Sequence, residues 1–460
     1  MSKKSAWGHK KTILFLQTGT FLEYFDLMLF VHMSVLLNTF FFPQSDPYMN
    51  AIVSAFAFSS SYILRPFAAM LFGYLGDQYG RKPTVMITMM MMGIPCGILT
   101  ILPTYNEWGI TATIIVTLCR MMQGMSSLGE IVGAEIYMVE TIKRPHQYSA
   151  VALLAVSSAL GSFFALGLSS MAASSPGENW RWVFSVGLTV AFAGSFARTR
   201  LRETPEFVDM KRRLNKAIKN GNQKEVLNIS RKTEQEETHT PAQDRKTVFM
   251  AFLMQCASPL CFYFSYMYCG VLLKTFCHYT PAQIINQNLK ISIIKIFAML
   301  TVAFLVRYIY PLKILRVKLF IFACFIFACP YFLNQLEPSS DTAVWESYAN
   351  MIFWIQCICT VFTPATVSPI VYAHFPILKR FTYASWPFAI SRAVMSVASL
   401  GVVVAIGWVG NWGLLLVFLP ILLMFFTGFS HFSKLEKDAG LYPGYEKKDE
   451  PVSGKVALAS

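Results

Sequence analysis

Charge is scarce in this 460-residue chain: Asp, Glu, Lys and Arg make up only 14% of it, and acids are the rarer kind, 25 against 39 cations. A Walker loop is also missing, which removes the case for ATP drive. The seven histidines, at 9, 32, 146, 239, 278, 374 and 431, form no HxxxH cluster, and none of the ten cysteines makes a spaced CxxC pair in a polar loop. A zinc site, a disulfide framework and an enzyme built on a nucleophile and base therefore have no support. No metal and no cofactor is expected.

What fills the chain is apolar: 55% of residues are hydrophobic, 15% are aromatic, and the mean hydropathy is +0.47. That composition argues for a membrane protein rather than two or three soluble domains. The net charge of +14 is not a nucleic-acid signal, because no basic stripe interleaved with aromatics lies on a polar domain. Spans of ~17–25 apolar residues can be placed at 12–39, 49–75, 84–103, 110–139, 148–172 and 181–200. After a polar stretch they resume at 247–273, 284–306, 318–336, 348–372, 383–407 and 412–432.

The loops test that count of twelve. Lys3, Lys4, Lys10 and Lys11 precede the first span, and Arg81 with Lys82, Lys143 with Arg144, and Lys379 with Arg380 follow the second, fourth and tenth. The loops between, such as PTYNEW and SSPGEN, lack cations. This alternation places both termini in the cytoplasm. The first span is too long for a signal peptide and has no small-x-small cleavage site, so it reads as retained. The expected organisation is an N-terminal six-helix bundle at 1–200, a helical or disordered connector at 201–246, a second six-helix bundle at 247–432 and a tail at 433–460.

Three stretches carry chemistry. In GTFLEYFDLML, residues 19–29, Glu23 and Asp26 interrupt an apolar run, although an acid at membrane depth costs roughly 2.5–3.5 kcal/mol. Spaced three apart they share a helix face, and two partly desolvated carboxylates can hold one proton between them. Arg65, Arg120, Lys295 and Arg392 are the cations available at depth. In the fourth span Arg120, Gln123, Ser127, Glu130 and Ala134 fall within a stripe of about 80°, and Gly129 and Gly133 form a GxxxG. The third stretch is GYLGDQYGRK. Here Gly73, Gly76 and Gly80 permit close packing, Asp77 can meet a cation or cap a neighbouring helix end, and Arg81 and Lys82 stay at the interface. Such a charged latch favours one of two arrangements of a bundle.

These residues carry a resemblance. The chain is similar to the major facilitator superfamily and, within it, to the metabolite:proton symporters that carry proline and betaine, α-ketoglutarate, citrate or shikimate. FLEYFD, RPFAAMLFGYLGDQYGRK, LPTY, RMMQGMSSLGEIVGAEIYMVE and LRETPEF carry it over roughly residues 15–210, and HFPILKRFTYASWPFAI adds to it later. Departures are Ala68 and Leu128 where the family has Gly, His374 where it has an acid, and VRYIYPLKILRVK where the second half usually repeats the latch. The resemblance implies an all-α fold of twelve transmembrane helices in two pseudo-symmetric six-helix bundles, in a bacterial cytoplasmic membrane. It also implicates Arg120 in proton coupling.

The expected function is secondary transport: proton-coupled symport of a small carboxylate-bearing metabolite, a zwitterion or an organic acid, by alternating access. Glu23, Asp26, Arg120 and Glu130 are expected to couple protons. Tyr24, Arg65, Gln123, Lys295 and Arg392 are expected to bind substrate, since arginine grips carboxylates. Gly73, Asp77, Gly80, Arg81 and Lys82 form the latch. Tyr62, Tyr137, Tyr263, Tyr266, Trp354 and Trp386 join Tyr24 as aromatics able to cage a quaternary ammonium. Protons, a small metabolite and the bilayer are the expected partners of a monomer, with no nucleic acid. A transporter-like solute sensor or an uncoupled facilitator is the alternative.

Overall fold

The computed structural model describes residues 14, 16–29, 40–41, 62, 64–174, 181–199, 203–219, 241–337 and 341–443. Every regular element among them is helical. A first helix, α1, covers 16–29. It is followed by α2 (Arg65–Gln78), α3 (Arg81–Ile101), α4 (Ile110–Ser127), α5 (Ala134–Thr141), α6 (His146–Ser174), α7 (Arg181–Thr199) and α8 (Pro205–Lys219). The later part holds α9 (Pro241–Gln255), α10 (Ala257–Tyr263), α11 (Cys269–Phe276), α12 (Pro281–Leu305), α13 (Pro311–Leu333), α14 (Thr342–Val361), α15 (Ser368–Ala373), α16 (Arg380–Val409) and α17 (Leu414–Asp438).

Local sequence sets several ends. Pro66, Pro281 and Pro311 stand in the first turns of α2, α12 and α13, where a missing N–H and a fixed φ cost nothing. Thr280 and Gln283 close a capping box on α12, satisfying orphan N–H groups. Between α4 and α5 the chain runs through a π-helical turn, Leu128–Gly133, and a second one, Phe264–Tyr268, joins α10 to α11. The predicted spans at 12–39 and 49–75 lie partly outside the described residues, which hold α1 and α2 there as helices.

Six helices among the described residues are long and apolar enough to cross a membrane: Arg81–Ile101, His146–Met171, Asp244–Phe276, Ala282–Leu305, Thr342–Ala373 and Val404–Asp438. Polarity is distributed as a lipid solvent demands. Phe67, Ile101, Phe297 and Phe320 face outward, while Glu23, Asp26, Arg65, Arg120, Asn288 and Gln356 are buried. An ionisable side chain inside such a bundle needs a partner or a cavity, which the interior supplies.

Helices from the two parts of the chain meet along two seams, α2 on α16 and α6 on α12. In the predicted numbering these are the second span on the eleventh and the fifth on the eighth. Advancing every span by six exchanges the two pairs, as an internal repeat requires. One end of the bundle gathers Arg81, Lys143, Arg144, Lys379 and Arg380 and is called the basic end below.

The first helix sits close on α6 because Gly161 faces it: a Cβ there would press into the carbonyl oxygen of Phe21 and the backbone nitrogen of Phe25. Backbone cannot yield as a side chain can. Gly161→Ala is therefore expected to destabilise the fold by about 1–3 kcal/mol through overpacking, whereas Gly167→Ala, on the same helix with nothing within 4 Å, should leave stability unchanged or raised. Thermal unfolding of detergent-purified protein checks both. Equal melting temperatures for the two variants would refute the close contact.

Candidate functional site

Two of the residues on α1 that interrupt the apolar run enter one small pocket, lined by Glu23, Asp26, Tyr62, Arg65, Arg120 and Gln123. The Asp26 carboxylate accepts a hydrogen bond from Arg120 Nη1 at 2.9 Å and another from Gln123 Nε2. Arg120 Nη1 also donates to Gln123 Oε1 at 2.8 Å, fixing the amide's orientation. Glu23 lies 3.8 Å from Arg65, whose guanidinium sits 4.8 Å from the centre of the Tyr62 ring. All four charged side chains are buried. Two acids against two arginines leave no net charge, so the cost of burial is met by pairing. Adding a proton to either acid releases an arginine.

The opposite side of α1 faces a second space. A cavity of about 100 Å³ lies between the two parts of the chain, with Tyr24, Glu135, Ser158, Tyr266, Lys295 and Thr360 on its walls. Lys295 Nζ stands 5.9 Å from the centre of the Tyr24 ring. Glu135 receives a hydrogen bond from the Tyr372 hydroxyl at 2.7 Å. One cation and one acid thus share a cavity with two tyrosines. Tyr24 and Tyr266 are the members of the proposed aromatic cage that line it; Trp354 is 62% exposed on the outside of the bundle.

Glu135 was not among the residues singled out by spacing, and the π turn explains why. An uninterrupted helix puts Ala134 on the Arg120 stripe and Glu135 about 100° away. The π turn inserts in effect one extra residue, so Glu135 takes the phase that Ala134 would have had. Gly129 and Gly133, which bracket the turn, are its only trace in the sequence. Glu130 has its backbone in this turn; its side chain lies outside the described residues. Arg392 remains beside the cavity rather than on its wall, donating to Phe388 O at 3.1 Å with its guanidinium stacked on the Phe388 ring. Arg65 and Gln123 join the acid pocket, not the cavity.

At the basic end the latch residues assemble around Arg81, which is fully buried. Its guanidinium donates to Glu140 through Nε and Nη2, the shortest bond 2.8 Å, and to the carbonyls of Gly76 and Ile377 at 2.7 Å each. Asp77 accepts from the backbone N–H groups of Phe381 and Thr382 at 3.1 and 3.0 Å and from the Thr382 hydroxyl at 2.7 Å. A carboxylate thereby caps the N-terminus of α16, where the helix dipole favours negative charge. Gly73 lies against Thr382 and Gly76 against the Phe381 ring, leaving no room for a Cβ. Gly80 takes φ +119°, a conformation that glycine alone adopts cheaply.

The LRETPEF segment closes this clasp. Glu203 accepts from the backbone N–H groups of Arg81 and Lys82, Thr204 donates to Glu140 at 2.7 Å, and the Phe207 ring lies 4.4 Å from the Arg81 guanidinium. Arg380 reaches Glu140 from the far side at 3.4 Å. A second hub is Glu436 on α17, which accepts from both Arg144 Nη atoms at 3.0 and 3.2 Å, lies 3.0 Å from His374 Nε2, and accepts from the Tyr310 hydroxyl. Burial is the strongest single influence on Arg144 and opposes its charge, but Glu436, Tyr148 and Tyr310 together hold that guanidinium above its ordinary pKa. Glu140, Glu203 and Glu436 were invisible as site residues, because their partners come from distant parts of the chain.

Comparison with known proteins bears on the fold and the family. The profile described as "Major Facilitator Superfamily" matches residues 18–376. The Proline/betaine transporter of Escherichia coli (strain K12) is 30% identical over 204 residues, 43% of this chain and 41% of that protein. The Glycine betaine/proline/ectoine/pipecolic acid transporter OusA of Dickeya dadantii (strain 3937) is 31% identical over 204 residues, with the same shares of 43% and 41%. The matched stretch thus spans less than half the length of these relatives. Among solved structures, the MFS proton:xylose symporter XylE bound to 6-bromo-6-deoxy-D-glucose superimposes with a TM-score of 0.71 at 12% identity, covering 92% of this chain and 95% of that one. The human organic anion transporter MFSD10 gives a TM-score of 0.58 at 13% identity, covering 91% and 99%.

For the clasp, replacing Asp77 by Asn removes the charge that holds two backbone N–H groups. Charge-assisted bonds of this kind contribute roughly 1.5–3 kcal/mol, so amide hydrogen exchange at Phe381 and Thr382 is expected to accelerate by about 10- to 100-fold. Unchanged exchange in a well-folded Asp77→Asn protein would show that the cap does not hold the seam.

Proposed function

Because the chain belongs to the Major Facilitator Superfamily, we propose that it is a secondary transporter that imports a small zwitterion together with a proton by alternating access. The observation that carries this reading is the cavity between the two parts of the chain, which presents Lys295 and Glu135 to the same space. A carboxylate meets the lysine and an ammonium meets the glutamate, with Tyr24 and Tyr266 offering π-faces to the cationic end. The names of the relatives, proline and betaine transporters, agree with such a solute.

Proton coupling is assigned to Asp26, Glu23 and Arg120, with Glu130 on the adjoining π turn. Their pocket adjoins the cavity through α1 itself: Tyr24 faces the solute while Glu23 and Asp26 face the arginines. Protonation of Asp26 frees Arg120 and Gln123, and α1 transmits the change to the solute side. Arg65 and Gln123 then act on the solute through the acids, and Arg392 supplies positive potential beside the cavity. Two six-helix bundles, 1–200 and 247–432, rock against each other with 201–246 as connector. The basic end faces the cytoplasm of a bacterial inner membrane, so the clasp of Asp77 and Arg81 closes the inner side of a monomer whose termini are both cytoplasmic. No step requires a metal or cofactor.

Proteoliposomes with an acidic exterior, offered labelled proline or betaine, test the reading. Accumulation should grow as external pH falls and collapse with a protonophore. Asp26→Asn should abolish accumulation while keeping solute exchange, and accumulation retained by this variant would sink the coupling role in favour of a fixed ion pair. Lys295→Gln should raise KM by about tenfold or more, the loss of one charged hydrogen bond. An unchanged KM would remove the lysine from the solute site.

A further inference from the structure

One half-buried lysine with a buried ammonium nitrogen belongs to none of these sites. Lys318 follows Pro311, the first residue of α13, by about 10 Å of helix rise. Its ammonium nitrogen is sealed off and, among the described residues, has no hydrogen-bonding partner. Around it lies a groove of about 240 Å³ walled by Ile294, Ile321, Phe322, Trp354, Ile358 and Val361, every one of them apolar. The groove is on the outside of the bundle: Trp354 is 62% exposed and Ile321 50%. It runs between α12, α13 and α14, and Lys313 and Arg316, five and two residues before Lys318 on the same helix, are exposed.

Two demands meet here. An unpaired ammonium against an apolar wall carries a desolvation cost that nothing offsets. An apolar groove on the perimeter of a membrane-spanning bundle is met by acyl chains. A soluble anion would answer the first demand and leave the groove bare. A zwitterionic lipid would fill the groove without bringing net negative charge. We propose that this groove seats one acyl chain of an anionic phospholipid whose phosphate pairs with Lys318. The four-carbon stem of the lysine lets its ammonium swing to the membrane surface as the head group arrives. The groove opens on the outside of the bundle, shares no residue with the acid pocket and meets the central cavity only at Phe362, whose ring stands between the two.

Native mass spectrometry of the full chain tests this, after release from nanodiscs of equal parts palmitoyl-oleoyl phosphatidylglycerol and phosphatidylethanolamine. The protein should retain phosphatidylglycerol in preference. Lys318→Gln should cut that retention by about fivefold, the effect of one cation near a lipid surface. Lys318→Arg should keep it, and so should Lys313→Gln. Ile321→Trp fills the groove from a lipid-facing position and leaves the charge in place, so it should also reduce retention. It decides the question if Lys318→Gln does not stay monodisperse. Equal retention by wild type and Lys318→Gln, unaltered retention by Ile321→Trp, or displacement of the lipid by glycerol phosphate alone would each overturn the proposal.

Discussion

The arrangement depends most on a single guanidinium taken wholly out of water. Arg81 is 0% exposed, and a buried charge of that kind persists only when its donors are matched. The matches come from four places: Glu140 at the end of α5, the carbonyl of Gly76, the carbonyl of Ile377 beyond α15, and the Phe207 ring of α8. Satisfying Arg81 therefore assembles the basic end, since no one of these segments supplies enough. Glycine is required beside it for the same reason, because α2 must approach α16 closely enough for Asp77 to reach Phe381 and Thr382.

Polarity inside the bundle is divided into units that are each close to neutral. Glu23 and Asp26 answer Arg65 and Arg120, and Glu436 answers Arg144 and His374. In the C-terminal part Gln287, Gln356 and the carbonyl of Ser265 form a purely amide seam. Neutral units are what a low-dielectric interior tolerates. On the proposed coupling role they would also make switching cheap, because one proton would convert a balanced pocket into an unbalanced one.

Much of the fold was legible in the sequence, and the reasons are physical. Apolar runs and cation-bearing loops are local quantities, so α3, α6, α12, α14 and α17 fall where hydropathy puts them. The close contact made by Gly73, Asp77, Gly80 and Arg81 was legible for a related reason: the four lie within nine residues of chain and have few uses other than a close, charged contact. Glu23 and Asp26 announced themselves by their cost. Glu135 did not, because a π turn changes the phase of everything after it and its glycines read equally well as a helix-packing motif. Glu140 and Glu436 were illegible because an acid at a helix end has an ordinary reading, and only the folded chain brings Arg81, Arg380, Arg144 and Tyr310 to them. The use of Arg65 and Gln123 was hidden likewise, since charge alone does not say whether a cation faces a solute or a neighbouring acid.

The two seams related by the internal repeat are not chemically equivalent. The junction of α2 and α3 holds its seam with Asp77 and Arg81, while the corresponding stretch YIYPLKILRVK, which is helical from Pro311 where a loop was expected up to Lys318, offers Tyr310 to Glu436 and has no acid of its own. On the alternating-access reading proposed above, an empty carrier with one strong clasp would spend unequal time in its two orientations. Apparent affinity is the intrinsic affinity scaled by the fraction of molecules in the competent orientation. The same pocket must therefore look tight from the favoured side and loose from the other, although its contacts to the solute are identical. This lopsidedness leaves the final concentration ratio untouched, since that is set by the driving gradient alone. On that reading the chain would act as a kinetic rectifier, quick to load on one face and slow to reload on the other.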